Sequence, residues 1–330
     1  MLFSVKKLSI VLVLALLPSI SAADSADSKL LAAGRVDDAI ASLQTRISTS
    51  PNAESYNLLC RAYFTLSDWD KGISACEKAV SLDPQNAEYH LWLGRSYGEK
   101  AEHSGFLTAA GLAKKVRGEF ETSVGLNPNN AEARTDLGEF YMEAPGIVGG
   151  GRDKAEAQAE ALATMDPVKA GWLKGRLAEK NKDLLAAENQ YRAAIKASHG
   201  AARAWLNLAS FYRQTSHLDA MEDAIRHASA APMNQPEVLM ECAAMLLRSK
   251  RDLPQATALL RRYLSLRAMV EAAPAFQAHY LLGTALEQQG DKPAAAQEYR
   301  ASLALARTFT MAQNALDHLN GQVAEAINPH

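Results

Sequence analysis

Chemistry in this chain of 330 residues has to be sought in its histidines, cysteines, paired acids and glycine runs. The eight histidines are His90, His103, His199, His217, His227, His279, His318 and His330. None stands in a His-Glu-x-x-His arrangement or beside a cysteine at zinc-ligand spacing, so no metal site is expected. Neither a Gly-x-Ser-x-Gly elbow nor a dinucleotide fingerprint occurs, which removes two common routes to hydrolysis and hydride transfer. The run Gly149-Gly150-Gly151-Arg152-Asp153-Lys154 invites comparison with a phosphate loop. Such a loop needs a Lys followed by Ser or Thr and lies between a strand and a helix. Here Ala155 follows Lys154, and the preceding text is helical in pattern. A looser reading keeps backbone amides open toward an anion at the next helix start. Acids such as Glu119 and Glu121 sit in ordinary amphipathic text. The residues therefore predict no enzyme and no cofactor.

The three cysteines, Cys60, Cys76 and Cys242, are too few for a disulfide framework. Cys60 and Cys76 fall on adjacent predicted helices, where they either pair or serve separately as small buried fillers, the plainer reading. Cys242 is left free in both. Lys plus Arg is 35 against 37 Asp plus Glu, so no basic excess points to nucleic acid, and none is expected as a partner. With 48% hydrophobic and 22% charged residues the chain is neither collagen-like nor wholly disordered. Alanine-rich text with 7% aromatics favours helices in close contact over a β-sandwich.

Residues 1–23 read as a secretory leader: Lys6 and Lys7, the apolar run Leu8–Leu17, Pro18, then small residues up to Ala23. The apolar run is shorter than the roughly 18–20 residues that span a bilayer. Cleavage after Ala22 or Ala23 is expected, which leaves 33 positive against 37 negative side chains. No cysteine lies nearby to accept a lipid. The mature protein is expected to be exported, periplasmic or secreted, and not inserted in a membrane.

The elements that would carry any site repeat one unit. Ala53-Glu54-Ser55-Tyr56-Asn57-Leu58-Leu59-Cys60-Arg61-Ala62-Tyr63 has counterparts in Ala87–Tyr97 and Ala131–Tyr141, the latter two after Pro-containing turns. A small-residue column runs through Cys60, Gly94, Gly138, Gly175, Ala209, Ala244 and Gly283. Facing it, Ala39, Gly72, Ala155, Ala187, Ala256 and Ala295 mark the second helix of each unit, with Ala79, Ala194 and Ala228 two turns further on. Small residues at both positions let two antiparallel helices approach closely. Turn signals such as Ala33-Gly34-Arg35, Leu66-Ser67-Asp68 and Gln289-Gly290-Asp291 separate the two helices.

On these residues the chain resembles the tetratricopeptide-repeat family, over about residues 25–305. The pattern is clearest in Tyr56–Pro84, Ala131–Tyr141, Gly171–Ala194 and Trp205–Ala228, and it departs from the family at Ala244–Leu266. The resemblance implies an all-α, right-handed superhelical solenoid of about eight helix pairs. Its expected bounds are residues 24–305, with residues 306–330 forming a capping helix and tail. Phe309, Ala312, Leu316 and Leu319 recur at helical spacing there. No room remains for a separate catalytic domain.

Two units carry insertions between their helices, about ten residues within 100–111 and about five within 144–151. They should emerge on one edge, with Phe106, Leu107, Pro145, Ile147 and Val148 as its contact residues. The alternative is a lengthened helix plus a tolerated loop. The family resemblance also implies a concave groove lined by first helices, which holds a peptide or protein. By repeat phase that groove presents Asn57, Arg61, Arg95, Lys169, Trp172, Arg176, Arg203 and Arg213, with Glu99 also on the wall. Glu132, Glu139 and Glu143 are expected to form an acidic patch, and Lys169, Arg176, Arg203 and Arg213 a basic one suited to a carboxylate-bearing segment. The carboxylate clamp of chaperone-binding relatives is not reproduced. The expected function is a non-enzymatic envelope scaffold for a protein or peptide. The Pro145-to-Gly150 loop also resembles tetratricopeptide components of substrate-uptake systems, which makes a small-molecule carrier the alternative.

Overall fold

The computed structural model describes residues 22–232, 234–266 and 269–327. Of the leader predicted over residues 1–23, all but the last two positions lie outside these, as do residues 328–330 of the predicted tail. Among the described residues there are seventeen α-helices, one 3-10 turn and no strand. Eight antiparallel pairs follow one another: α1 (Ala22–Ala32) with α2 (Val36–Thr49), α3 (Ala53–Thr65) with α4 (Trp69–Leu82), and α5 (Ala87–Glu102) with α6 (Phe106–Leu126). Then come α7 (Ala131–Glu143) with α8 (Arg152–Leu162), α9 (Pro167–Lys180) with α10 (Leu184–Ala197), and α11 (Ala202–Gln214) with α12 (Leu218–Ala230). The last pairs are α13 (Glu237–Ser249) with α14 (Leu253–Leu264) and α15 (Ala275–Gln288) with α16 (Lys292–Leu305), after which α17 (Thr310–Ile327) covers the end.

Local chemistry sets the helix boundaries. Asn52, Asp68, Asn86, Asn130, Asp166, Asp183, Asp252 and Asp291 each accept a backbone N–H of the helix they precede, a cap worth about 1 kcal/mol. In six pairs the two helices are joined by a three-residue turn. Its middle residue is left-handed in five of them, Gly34, Ser67, Lys182, Ser216 and Gly290, with φ between 60° and 89°, whereas the turn from α13 to α14 is left-handed at its first and last residues, Lys250 and Asp252. The two pairs without a three-residue turn are the two with insertions.

The small-residue columns do what their spacing predicts. A Cβ on Gly94 would stand 2.5 Å from the Phe120 ring, one on Gly175 would stand 2.4 Å from Tyr191, and one on Gly283 would stand 2.5 Å from Tyr299. In each case an aromatic of the second helix fills the hollow that glycine leaves in the first. Successive pairs are tied by a recurring hydrogen bond from the tyrosine near the end of a first helix. Tyr97 donates to Glu77 at 2.6 Å, Tyr141 to Glu121 at 2.8 Å and Tyr212 to Glu188 at 2.6 Å. Cys60 and Cys76 are joined in a disulfide between α3 and α4, so they are paired rather than separate fillers. Cys60 stands in the small-residue column of the first helices and Cys76 one turn after Gly72 on the facing helix, and their Cα atoms are 5.2 Å apart. Cys242 is buried and free.

The array does not stay open. Leu31, Val36 and Ala39 of the first pair share one apolar core with Phe276, Ala306, Phe309 and Ala312 of the last turn. Gly34 meets the backbone of Ala275 so closely that a Cβ would lie 2.4 Å from its nitrogen. Gln277 donates to the Thr65 carbonyl at 3.2 Å, and Arg307 to Asp37 at 2.9 Å. The first and last repeats therefore touch, and the solenoid closes on itself.

Candidate interaction surfaces

The first surface is the edge carrying the turns from first to second helix. The earlier insertion is mostly helix: α6 has 21 residues, and its first turns project beyond α5. The later insertion is a 3-10 turn at Gly146–Val148 followed by the glycine run. That run is structural. A Cβ on Gly150 would stand 1.8 Å from the Ala144 carbonyl oxygen, and Lys154 donates back to the Gly149 carbonyl at 3.0 Å. Phe106 and Leu107 are each 85% exposed and Ile147 is 89% exposed; Pro145 is exposed as well. Val148 is the exception, because it is buried where the 3-10 turn packs on α6 and its carbonyl accepts from Arg117. Its side chain is not part of the contact surface. The edge continues into the next pair, where Leu184 and Leu185 at the start of α10 are exposed, a position the sequence reading missed because it lies in no insertion. Arg152 bridges the two turns by donating to Asn181 at 3.1 Å.

The second surface is the inner wall, where the expected charge segregation is replaced by pairing between neighbouring repeats. Arg95 holds Asp136 at 2.5 Å and Glu132 at 3.3 Å; Lys169 reaches the same Glu132 at 2.8 Å. Arg176 and Lys180 share Glu143 at 3.1 and 2.8 Å. Arg203 bonds Glu241 at 2.7 Å and Glu237 at 3.2 Å. Arg61 is engaged by Glu88 and Glu271, and both Arg61 and Arg95 stack over Trp92. The two patches are thus one interlocked ladder, since acids and bases at equivalent positions of adjacent first helices lie within reach of each other. Asn57 is not on a groove wall at all: it is 1% exposed, on a helix flanked by α1 and by the returning segment that carries Glu271.

The inner wall borders a half-open chamber of about 810 Å³. It is lined by Lys169 and Trp172 of α9, Arg203 and Leu206 of α11, Met240 and Arg248 of α13, Tyr280 of α15, and Phe309 and Met311. Glu139 also faces it and has no ion-pair partner among the described residues. Burial, then the neighbouring charge of Asp136, pushes its carboxyl up to about 7, against a smaller opposing effect of Arg176. It is nonetheless more than a third exposed to chamber water. Among the described residues no group of three or more metal-ligating side chains occurs, and no helix is long and apolar enough to cross a membrane.

Stacked helix pairs with small-residue columns and capped, three-residue turns define an all-α repeat array. A model of the tetratricopeptide repeat family matches residues 29–87 and 243–308, and the chain carries tetratricopeptide repeats there. The second stretch takes in Ala244–Leu266, where the sequence pattern departs most from the family. A thermophilic tetratricopeptide-repeat protein of Thermus thermophilus is 20% identical, the match covering 57% of this chain and 98% of that one, with a TM-score of 0.48. A tetratricopeptide repeat protein of Parabacteroides merdae is 14% identical over 81% of this chain and 98% of that one, with a TM-score of 0.39. The human IFIT1 dimer with m7Gppp-AAAA is 15% identical over 86% of this chain and 71% of that one, with a TM-score of 0.44. No curated protein matches the chain.

Proposed function

We propose that the protein is a non-enzymatic scaffold of the cell envelope that holds a protein partner on the turn edge of its third, fourth and fifth helix pairs. One observation carries this reading. Of the seven large apolar side chains exposed among the described residues, five lie on that edge: Phe106, Leu107, Ile147, Leu184 and Leu185. Exposed apolar side chains gathered over consecutive repeats are what a protein interface requires. The inner wall is the poorer candidate for a protein, because most of its cations are already satisfied and the array is closed. Export is supported by the leader pattern of residues 1–23, and the Cys60–Cys76 disulfide fits an oxidising compartment.

The test is crosslinking in the native compartment with the full chain and with Phe106→Ser, Leu107→Ser and Ile147→Ser combined. The expected result is a protein partner captured by the natural sequence and lost from a folded triple variant. Capture unchanged by the three substitutions would remove the edge from consideration. Fractionation together with the mass of the mature amino terminus tests export, which predicts a chain beginning at Ala23 or Asp24.

A further inference from the structure

The chamber leaves two cations unspent. Among the described residues, the guanidinium groups without a hydrogen-bond partner are those of Arg213, Arg248, Arg261 and Arg300. Arg261 and Arg300 are exposed on second helices, turned to bulk water. Arg213, half-buried, and Arg248, exposed toward the chamber, lie on first helices. Arg248 lines the chamber. Arg213 continues the line of Arg203, Leu206, Asn207 and Ser210, which all line it, one turn further along the same face of α11. The Nε of Arg213 is buried and bonded to nothing.

Two guanidinium groups close enough to repel, on a wall where the other cations are tied to acids, are an arrangement that folding alone does not favour. Burial and then the charge of Arg213 lower the pKa of Arg248, with Glu241 opposing. Glu241 cannot serve both sides fully, since it already accepts from Arg203 at 2.7 Å. The missing component is an anion. The rest of the wall says what the anion is attached to: Trp172, Leu206, Met240, Tyr280 and Leu281 supply an apolar, partly aromatic surface beside the two arginines. The volume of about 810 Å³ is within the range of small-molecule sites.

We propose that the chamber binds an amphipathic organic anion, with its charged head between Arg213 and Arg248 and its apolar body against Trp172, Met240 and Tyr280. The volume of about 810 Å³, bounded by residues of successive first helices, favours a discrete molecule over a protein segment. The site is separate from the turn edge, so each stands or falls independently.

The experiment is calorimetric titration of the full chain with dodecanoate and 4-phenylbutyrate as carboxylate probes and with dodecanol as the neutral control. Saturable binding of one molecule per chain is expected for at least one carboxylate, with dodecanol at least tenfold weaker than dodecanoate, on the scale of about tenfold for a lost charge-assisted contact. R213Q/R248Q, checked for an unaltered circular dichroism spectrum, should bind at least about tenfold more weakly. R261Q/R300Q and the triple edge variant should bind as the natural sequence does. Absence of saturable carboxylate binding, equal affinity for dodecanol, or full affinity in R213Q/R248Q would overturn the proposal.

Discussion

Arg61 and Glu271, 210 residues apart in sequence, are joined by two hydrogen bonds of 2.9 and 2.6 Å. Their side chains are only 18% and 14% exposed. The paired geometry fastens the second repeat to the segment that leads into the last, so it acts on the shape of the whole array. Arg61→Ala is expected to cost about 2 kcal/mol, between the values for exposed and fully buried pairs. It should also speed limited proteolysis within residues 265–274. Urea unfolding and a protease time course would check this, and a variant indistinguishable in both would argue that the ends do not hold each other.

Gly34 and Gly290 provide an internal comparison. Both are left-handed, with φ of 70° and 89°, but a Cβ on Gly290 meets nothing within 4 Å whereas one on Gly34 collides with Ala275. Gly290→Ala should cost about 1 kcal/mol through backbone strain alone. Gly34→Ala adds overpacking of about 1–3 kcal/mol. Thermal melts of the two variants side by side measure the difference; equal losses would mean that the first and last repeats are not in contact.

The Cys60–Cys76 disulfide closes a short loop, with 16 positions of sequence separation. Replacing both cysteines with Ser should lower stability by about 3 kcal/mol on a loop-entropy basis. A reductant should lower the melting temperature of the natural sequence but not that of the double variant. Cys242 should stay unreactive toward thiol reagents until unfolding, since burial pushes its thiol up to about 12. Rapid labelling of a native thiol in oxidised protein would contradict this arrangement.

Glu139 supplies a pH test. Its folded pKa is raised to about 7, so the folded state holds its proton where the unfolded state has released it, and stability falls as pH rises from about 4.5 to about 7. Glu139→Gln should match the natural sequence near pH 4 and exceed it at pH 8. Because the side chain is open to chamber water, the gain is about 1 kcal/mol rather than the full equivalent of the shift. Denaturant titrations at the two pH values decide it. A variant less stable at pH 8 would show that the carboxylate has a partner in solution.

Much of the array could be read from residues close together in sequence. Cys60, Gly94 and Gly138 mark helix crossings because a close approach tolerates no bulk, and the Asp-Pro and Asn-Pro turns punctuate the units. The insertions were equally visible, since Phe106 and Ile147 interrupt a fixed period. Within them, the burial of Val148 was not legible, for a side chain in an irregular loop has no periodicity to reveal its direction. Nor was the αL turn at Ser67, Lys182, Ser216 and Lys250, where no glycine announces it.

The repeating helix pairs, about eight of them, and the edge on which they are interrupted can be read from the sequence, because each depends on sterics and hydrogen bonding within one or two units. Only the packed array brings Arg61 to Glu271, matches the groove cations to acids one repeat away, and leaves Arg213 and Arg248 without an acid beside the chamber. Those outcomes follow from a small rotation between neighbouring pairs, which no single repeat displays and which becomes decisive only when summed around eight of them.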